Sequence, residues 1–178
     1  MRRWLVLLLA LLLLLTGLPA MAEEQAEETV DPALRDAVRA YLDTNEYTYD
    51  FYGADQYFYL GFSLECKFKT CEVNILLRPD GLSVIAYAPL DVEADRKADV
   101  AELITRINYT LTRGGFQMDW EDGELIYYCR LDTFDTVPSE TVLAYTLETP
   151  WLMLEKYGDA LISVMLEDVD AATAFNAL

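Results

Sequence analysis

The stretch GGFQMDWEDGELIYYCRL (114–131) gathers four carboxylates, Asp119, Glu121, Asp122 and Glu124, around Gly123. Three chemistries could use such a group: calcium binding, acid–base hydrolysis by a carboxylate pair, or only the reversal of a chain. A calcium loop needs oxygen ligands at its first, third and fifth places and glycine at its sixth. Counting back from Gly123, those places hold Met118, Trp120 and Asp122, so two of the three fail. Asp-Gly between alternating apolar runs is instead a strong hairpin signal. A two-residue turn there sets Trp120 opposite Leu125, Met118 opposite Tyr127 and Phe116 opposite Cys129. The acidic knot is therefore expected to be a turn. Asp119 and Glu121, which alternation places on one face, keep a carboxylate hydrolase as the alternative.

Little else in the chain is reactive. The sequence has no histidine, which removes Ser-His and Cys-His dyads and histidine-containing zinc sites. Ser63, Ser83, Ser139 and Ser163 lack the glycines of a nucleophile elbow. Three cysteines without paired CxxC spacing cannot make a four-cysteine zinc site, and no glycine-rich phosphate loop occurs. The chain is thus expected to be no enzyme and to need no cofactor or metal. Asn108-Tyr109-Thr110 matches a glycosylation sequon, but it falls within an expected helix and is read as chance.

The amino terminus has an address rather than a chemistry. Arg2 and Arg3 precede an apolar run from Trp4 to Leu15, then Gly17, Pro19 and Ala20-Met21-Ala22, the order of a secretory signal peptide cut after Ala22. The run is short of the roughly 20 apolar residues a membrane span needs, so no stable anchor is expected after cleavage. Residues 23–30 read as a disordered acidic spacer. The expected location is secreted, outside the bacterial cytoplasm. The whole chain carries a formal charge of −18, with 31 acidic against 13 basic residues. Loss of the two signal arginines lowers it further. Nucleic acid is excluded as a partner, because phosphate binding needs clustered Lys and Arg.

The elements follow from pattern. Asp31-Pro32 caps and starts a helix over 32–43, with Leu34, Val38, Tyr41 and Leu42 on its buried face. The passage YTYDFYGADQYFYLGF has strand propensity and a break at Gly53. Phe58, Leu60, Phe62, Leu64 and Cys66 alternate on one strand, and Cys71, Val73, Ile75 and Leu77 on the next. Folding the chain at KFKT opposes Cys66 to Cys71, Leu64 to Val73, Phe62 to Ile75 and Leu60 to Leu77. Opposed antiparallel residues lie within disulfide reach, so export predicts a Cys66–Cys71 bridge. Cys129 is expected to be a buried free thiol.

RPDG turns into a third strand, LSVIAYAPL, and a turn of two or of three residues puts Ile85 on opposite faces. A second helix starts near Asp99, carries Val100, Leu103, Ile104, Ile107 and Leu111 on one stripe, and ends at a Gly114 cap. After the acidic hairpin, Ser139 caps a short helix to Leu147, and Thr149-Pro150 starts another with Trp151, Leu154, Gly158, Leu161, Met165 and Val169 on one face. Gly158 implies that another backbone passes close. Helix, three strands, helix, two strands and helix make one α+β domain over 31–178.

That order, the passage ELITRINYTLTRGGFQMDWEDGELIYYCRLD and the later TPWLMLEKYGDAL resemble the YbjN family, whose fold is similar to type III secretion chaperones. The likeness covers roughly residues 31–168. It implies a protein-binding or regulatory module, brings no catalytic residues to carry over, and is unusual in a chain with a signal peptide. The expected function is a secreted, non-catalytic interaction domain whose partner is a protein or peptide, or a second copy forming a dimer. Tyr57 and Tyr59, which alternate with the inward Phe58 and Leu60, and nearby Tyr49 and Tyr52 are the candidate contact residues, because tyrosine gives large contact area with a polar tip. An exposed strand edge could also take an extended peptide.

Overall fold

The computed structural model describes residues 30–134 and 136–178. The expected signal peptide, and the spacer apart from Val30, lie outside the described residues. The elements run α1 (Pro32–Thr44), β1 (Asp50–Tyr52), β2 (Tyr57–Ser63), β3 (Thr70–Arg78), β4 (Gly81–Tyr87), α2 (Lys97–Asn108), β5 (Gly115–Met118), β6 (Leu125–Asp132), α3 (Glu140–Leu166) and α4 (Ala171–Asn176). The six strands form one sheet in the order β1-β2-β3-β4-β6-β5, with every neighbouring pair antiparallel. This is the α+β architecture that the pattern implies, with β1 and α4 added.

Alternation along the strands separates the sheet into two faces. Phe58, Leu60, Cys71, Val73, Ile75, Leu77, Leu82, Val84, Ala86, Leu125, Tyr127 and Cys129 all point to one side, where they are buried in a single cluster with the apolar stripes of the helices. Asp31 Oδ1 accepts from the Ala33 N–H at 2.8 Å and starts α1, as its spacing predicts.

Several expectations are corrected. The first hairpin keeps its faces but not its register: Phe62 pairs with Cys71 rather than Ile75, a slip of four positions. Cys66 does not oppose Cys71, and Cys66, Cys71 and Cys129 are all free and buried. The cause lies in the loop. Its Glu65 and Lys67 N–H groups donate to Glu155 Oε2 (3.1 Å) and Asp159 Oδ1 (2.7 Å) on α3, while Cys66 and Phe68 close over Gly158. Residues that extend the strand by pattern are spent on docking the loop to the helix. A Cβ on Gly158 would lie 2.4 Å from Cys66 Sγ, so the close neighbour is a pair of side chains rather than a backbone.

The second hairpin slips by two: Met118 pairs with Leu125, not Tyr127, and Phe116 pairs with Tyr127, not Cys129. Its loop has four residues, Trp120 to Gly123, closed by the Gly123 N–H donating to Asp119 O at 3.0 Å. Gly123 sits at φ +93°, and a Cβ there would meet Val92 O at 2.3 Å. Buried Lys97 donates to the carbonyls of Trp120 (3.0 Å) and Glu121 (3.1 Å), which holds the loop in place. Trp120 is therefore 62% exposed instead of inward.

α2 ends at Asn108, before Gly114, because the Asn108 side chain is taken by the sheet: Nδ2 donates to Phe116 O and Oδ1 accepts from Phe116 N–H, both at 2.9 Å. That bidentate contact covers the outer edge of β5 at its centre. It also occupies both ends of the amide that a sugar would need. Finally, the two expected tail helices are one helix of 27 residues with Pro150 inside it. A proline in a helix interior costs about 3 kcal/mol locally, as it offers no N–H to the preceding turn. The buried row Leu143, Leu147, Pro150, Leu154, Gly158, Leu161 and Met165 runs unbroken across it, and packing on the sheet outweighs the local cost. The turn between β3 and β4 has two residues, with Arg78 paired to Gly81, so Ile85 faces outward.

Candidate interaction surface

Residues that alternate with the core build the other face of the sheet. Tyr57 pairs across to Leu76, Tyr59 to Asn74, Asn74 to Ile85, Ile85 to Tyr128 and Tyr87 to Ile126. None of Tyr52, Tyr57, Tyr59, Leu76, Ile85, Tyr87, Ile126 or Tyr128 belongs to the core or packs against it. Tyr52 stacks on Tyr57 with ring centres 4.7 Å apart and planes 11° from parallel. The Tyr128 and Ser83 hydroxyls are 2.9 Å apart.

The expected contact tyrosines part company here. Tyr52, Tyr57 and Tyr59 share this open face. Tyr49 does not: its ring meets inward Phe58 edge-on at 5.4 Å and its hydroxyl donates to Asp43 Oδ1 at 2.8 Å, at the end of α1. Tyr47 goes to the helical side with it, where Tyr41 and Tyr47 both donate to Glu148 Oε1, at 2.6 and 3.0 Å. Burial and that carboxylate push the Tyr47 phenol up to about 12.

Across the ends of β2, β3 and β4 on the open face, a groove of about 610 Å³ is lined by Tyr59, Gly61, Glu72, Tyr87, Asp91 and Glu124 among others, and no Lys or Arg of the described residues lines it. Gly61 opens the groove, since a Cβ built there meets nothing within 4 Å. Burial and the charges of Asp122, Asp91 and Asp119 raise the Glu124 carboxyl above its usual value. Burial, then a hydrogen bond to Glu72, raises the Tyr59 phenol. Asn74 Oδ1 is buried on the same face without a hydrogen-bond partner among the described residues. Alternation on β3 and β4 marks Glu72 and Tyr87 as outward residues, but not their meeting with Glu124 and Asp91.

Asp119 Oδ1 accepts the Glu121 N–H at 2.7 Å and Asp122 Oδ1 the Glu124 N–H at 2.9 Å, so both carboxylates shape the loop. Cys129 is fully buried, as its place on the strand predicts. Burial raises its thiol, against the pull of the nearby Arg113 guanidinium. Cys71 is pushed up to about 12 by burial and by neighbouring Cys66.

The YbjN family, described as a "putative bacterial sensory transduction regulator", matches residues 34–163 of the chain. The crystal structure of YbjN, "a putative transcription regulator from E. coli", is similar to it at 15% identity and a TM-score of 0.45, covering 75% of this chain and 90% of that one. A search of curated proteins returns no match.

Proposed function

The chain belongs to the YbjN family, and from that premise we propose that it is a non-catalytic regulatory module that binds a polypeptide on the outward face of its sheet. The observation that carries this reading is the row of aromatic and aliphatic side chains from Tyr52 to Tyr128, which packs against no part of the core. Antiparallel sheets with one solvated face usually present polar residues there. An apolar patch on a protein surface rimmed by polar groups is the mark of a contact site. Tyrosine suits that use, since its ring adds contact area and its hydroxyl keeps the empty face soluble.

The test is a selection of displayed random peptides on the full chain, repeated on Tyr57→Ser/Tyr59→Ser, with thermal unfolding and sedimentation measured on both. Selected peptides should bind the double variant at least about tenfold more weakly, a loss of ~1.4 kcal/mol, while its unfolding curve stays close to the parent's. Peptides that bind both proteins equally overturn the assignment of the face. A parent dimer that the double variant loses would make a second copy the occupant instead.

A further inference from the structure

Resting on that reading, we infer that the groove beside Tyr59 and Tyr87 selects a cationic segment, seating a Lys or Arg side chain between the two rings with its charge among Glu72, Asp91 and Glu124. Among the described residues, three carboxylates and no cation line the groove. The cations that hold a carboxylate within 4 Å, Arg35, Lys67, Arg96, Arg106 and Arg130, hold acids other than Glu72, Asp91 and Glu124. On the open face itself, Arg130 is tied to Asp80 and Asp132, so it does not neutralise the groove.

Three further features point to the same ligand. Burial, then the charges of Asp122, Asp91 and Asp119, raise the Glu124 carboxyl, so Asp91 of the groove adds repulsion to the effect of burial. An incoming ammonium or guanidinium removes that repulsion. Tyr59 and Tyr87 offer ring faces on which a cation is attracted by the aromatic quadrupole. The space above Gly61 is open, which leaves room for a chain to cross β2. A second copy is a poor occupant, because it would bring another acidic groove and another formal charge of −18.

The probes are short peptides of alternating Lys-Thr, Gln-Thr and Glu-Thr sequence, titrated into the full chain by calorimetry and by amide NMR shifts. The Lys peptide should move the resonances of Tyr59, Gly61 and Tyr87. Glu72→Gln/Asp91→Asn/Glu124→Gln should weaken it by about tenfold or more, and an equal charge removal on the helical side, Asp36→Asn/Glu46→Gln/Glu140→Gln, by less than about threefold. Equal weakening by the two triple variants, or shifts away from the open face, means general attraction to an acidic protein and overturns the inference. Equal binding of the Gln and Lys peptides at the face also overturns it but leaves the docking reading standing. If no peptide perturbs the face, and the displayed peptides ignore Tyr57 and Tyr59, both readings fail together.

Discussion

Ile75 and Leu76 are neighbours in β3, yet Ile75 is 1% exposed within the core while Leu76 lies outside it, opposite Tyr57 on the open face. The same contrast repeats in β6, where Tyr127 packs edge-on against Phe116 at 4.9 Å and Tyr128 turns outward to Ser83. The two faces differ in what they ask of a side chain. The inner face is closed by helices and takes shape-matched apolar groups. The outer face mixes tyrosine and aliphatic residues with Asn74, Ser83, Glu72 and Arg130, a composition that is stable in water and still sticky to a partner. One strand therefore serves folding and recognition at once, and the two roles should be separable by mutation.

Adjacent substitutions give the largest contrast. Ile75→Ala leaves a cavity between sheet and helices and should cost about 2–5 kcal/mol, whereas Leu76→Ala should cost less than about 1 kcal/mol because no cavity forms. Urea unfolding of the two variants measures both. Similar losses would mean that the open face is covered in solution.

A smaller effect separates the tyrosines by pH. Burial, aided by Cys129 and Tyr157, pushes the Tyr127 phenol up to about 12 from its ordinary 10. The raised value means that the folded chain holds this proton more tightly than the unfolded one. The contribution is complete below pH 10 and is lost as the pH rises to about 12, with Tyr47 shifted in the same direction to about 12. Stability should therefore fall across that window. Tyr127→Phe should flatten the fall while costing about 1 kcal/mol at neutral pH, since it also removes the bond from the Tyr127 hydroxyl to Arg113 O (2.5 Å). Stability curves of parent and variant that run parallel above pH 10 would refute the assignment.

The smallest change in stability is expected at Gly61, where the effect on binding should be large. Gly61→Val places a β-branched side chain in open space on β2, so folding should be unchanged or favoured by up to about 1 kcal/mol. The same side chain intrudes on the groove and should abolish binding of the Lys-Thr peptide. Retained affinity would show that the segment does not cross β2 at this point.

The sequence by itself determined the faces. A period of two on Phe58, Leu60, Val73, Ile75, Tyr127 and Cys129 assigns each to the core whatever its partner, because slips of two or four leave parity untouched. It also determined α1 through the Asp31-Pro32 start, a reversal at the acidic Gly123 turn, and the outward setting of Tyr57 and Tyr59. Tertiary structure decided what depends on distant residues. Glu155, Asp159 and Gly158 draw Cys66 and Phe68 out of the strand pattern. Val92 and Lys97 fix the length of the Trp120–Gly123 loop, and Asn108 ends α2 by closing the edge of β5. Packing across Pro150 makes one helix of two. The groove belongs to this second class, for Glu72, Tyr87, Asp91 and Glu124 come from segments that only the antiparallel pairing of β3, β4 and β6 brings together. Local pattern reports the side of a strand on which a residue lies, since that is set by backbone geometry. Which residues stand beside it is set by the loops that stop the strands, and those are held by contacts far away in the chain.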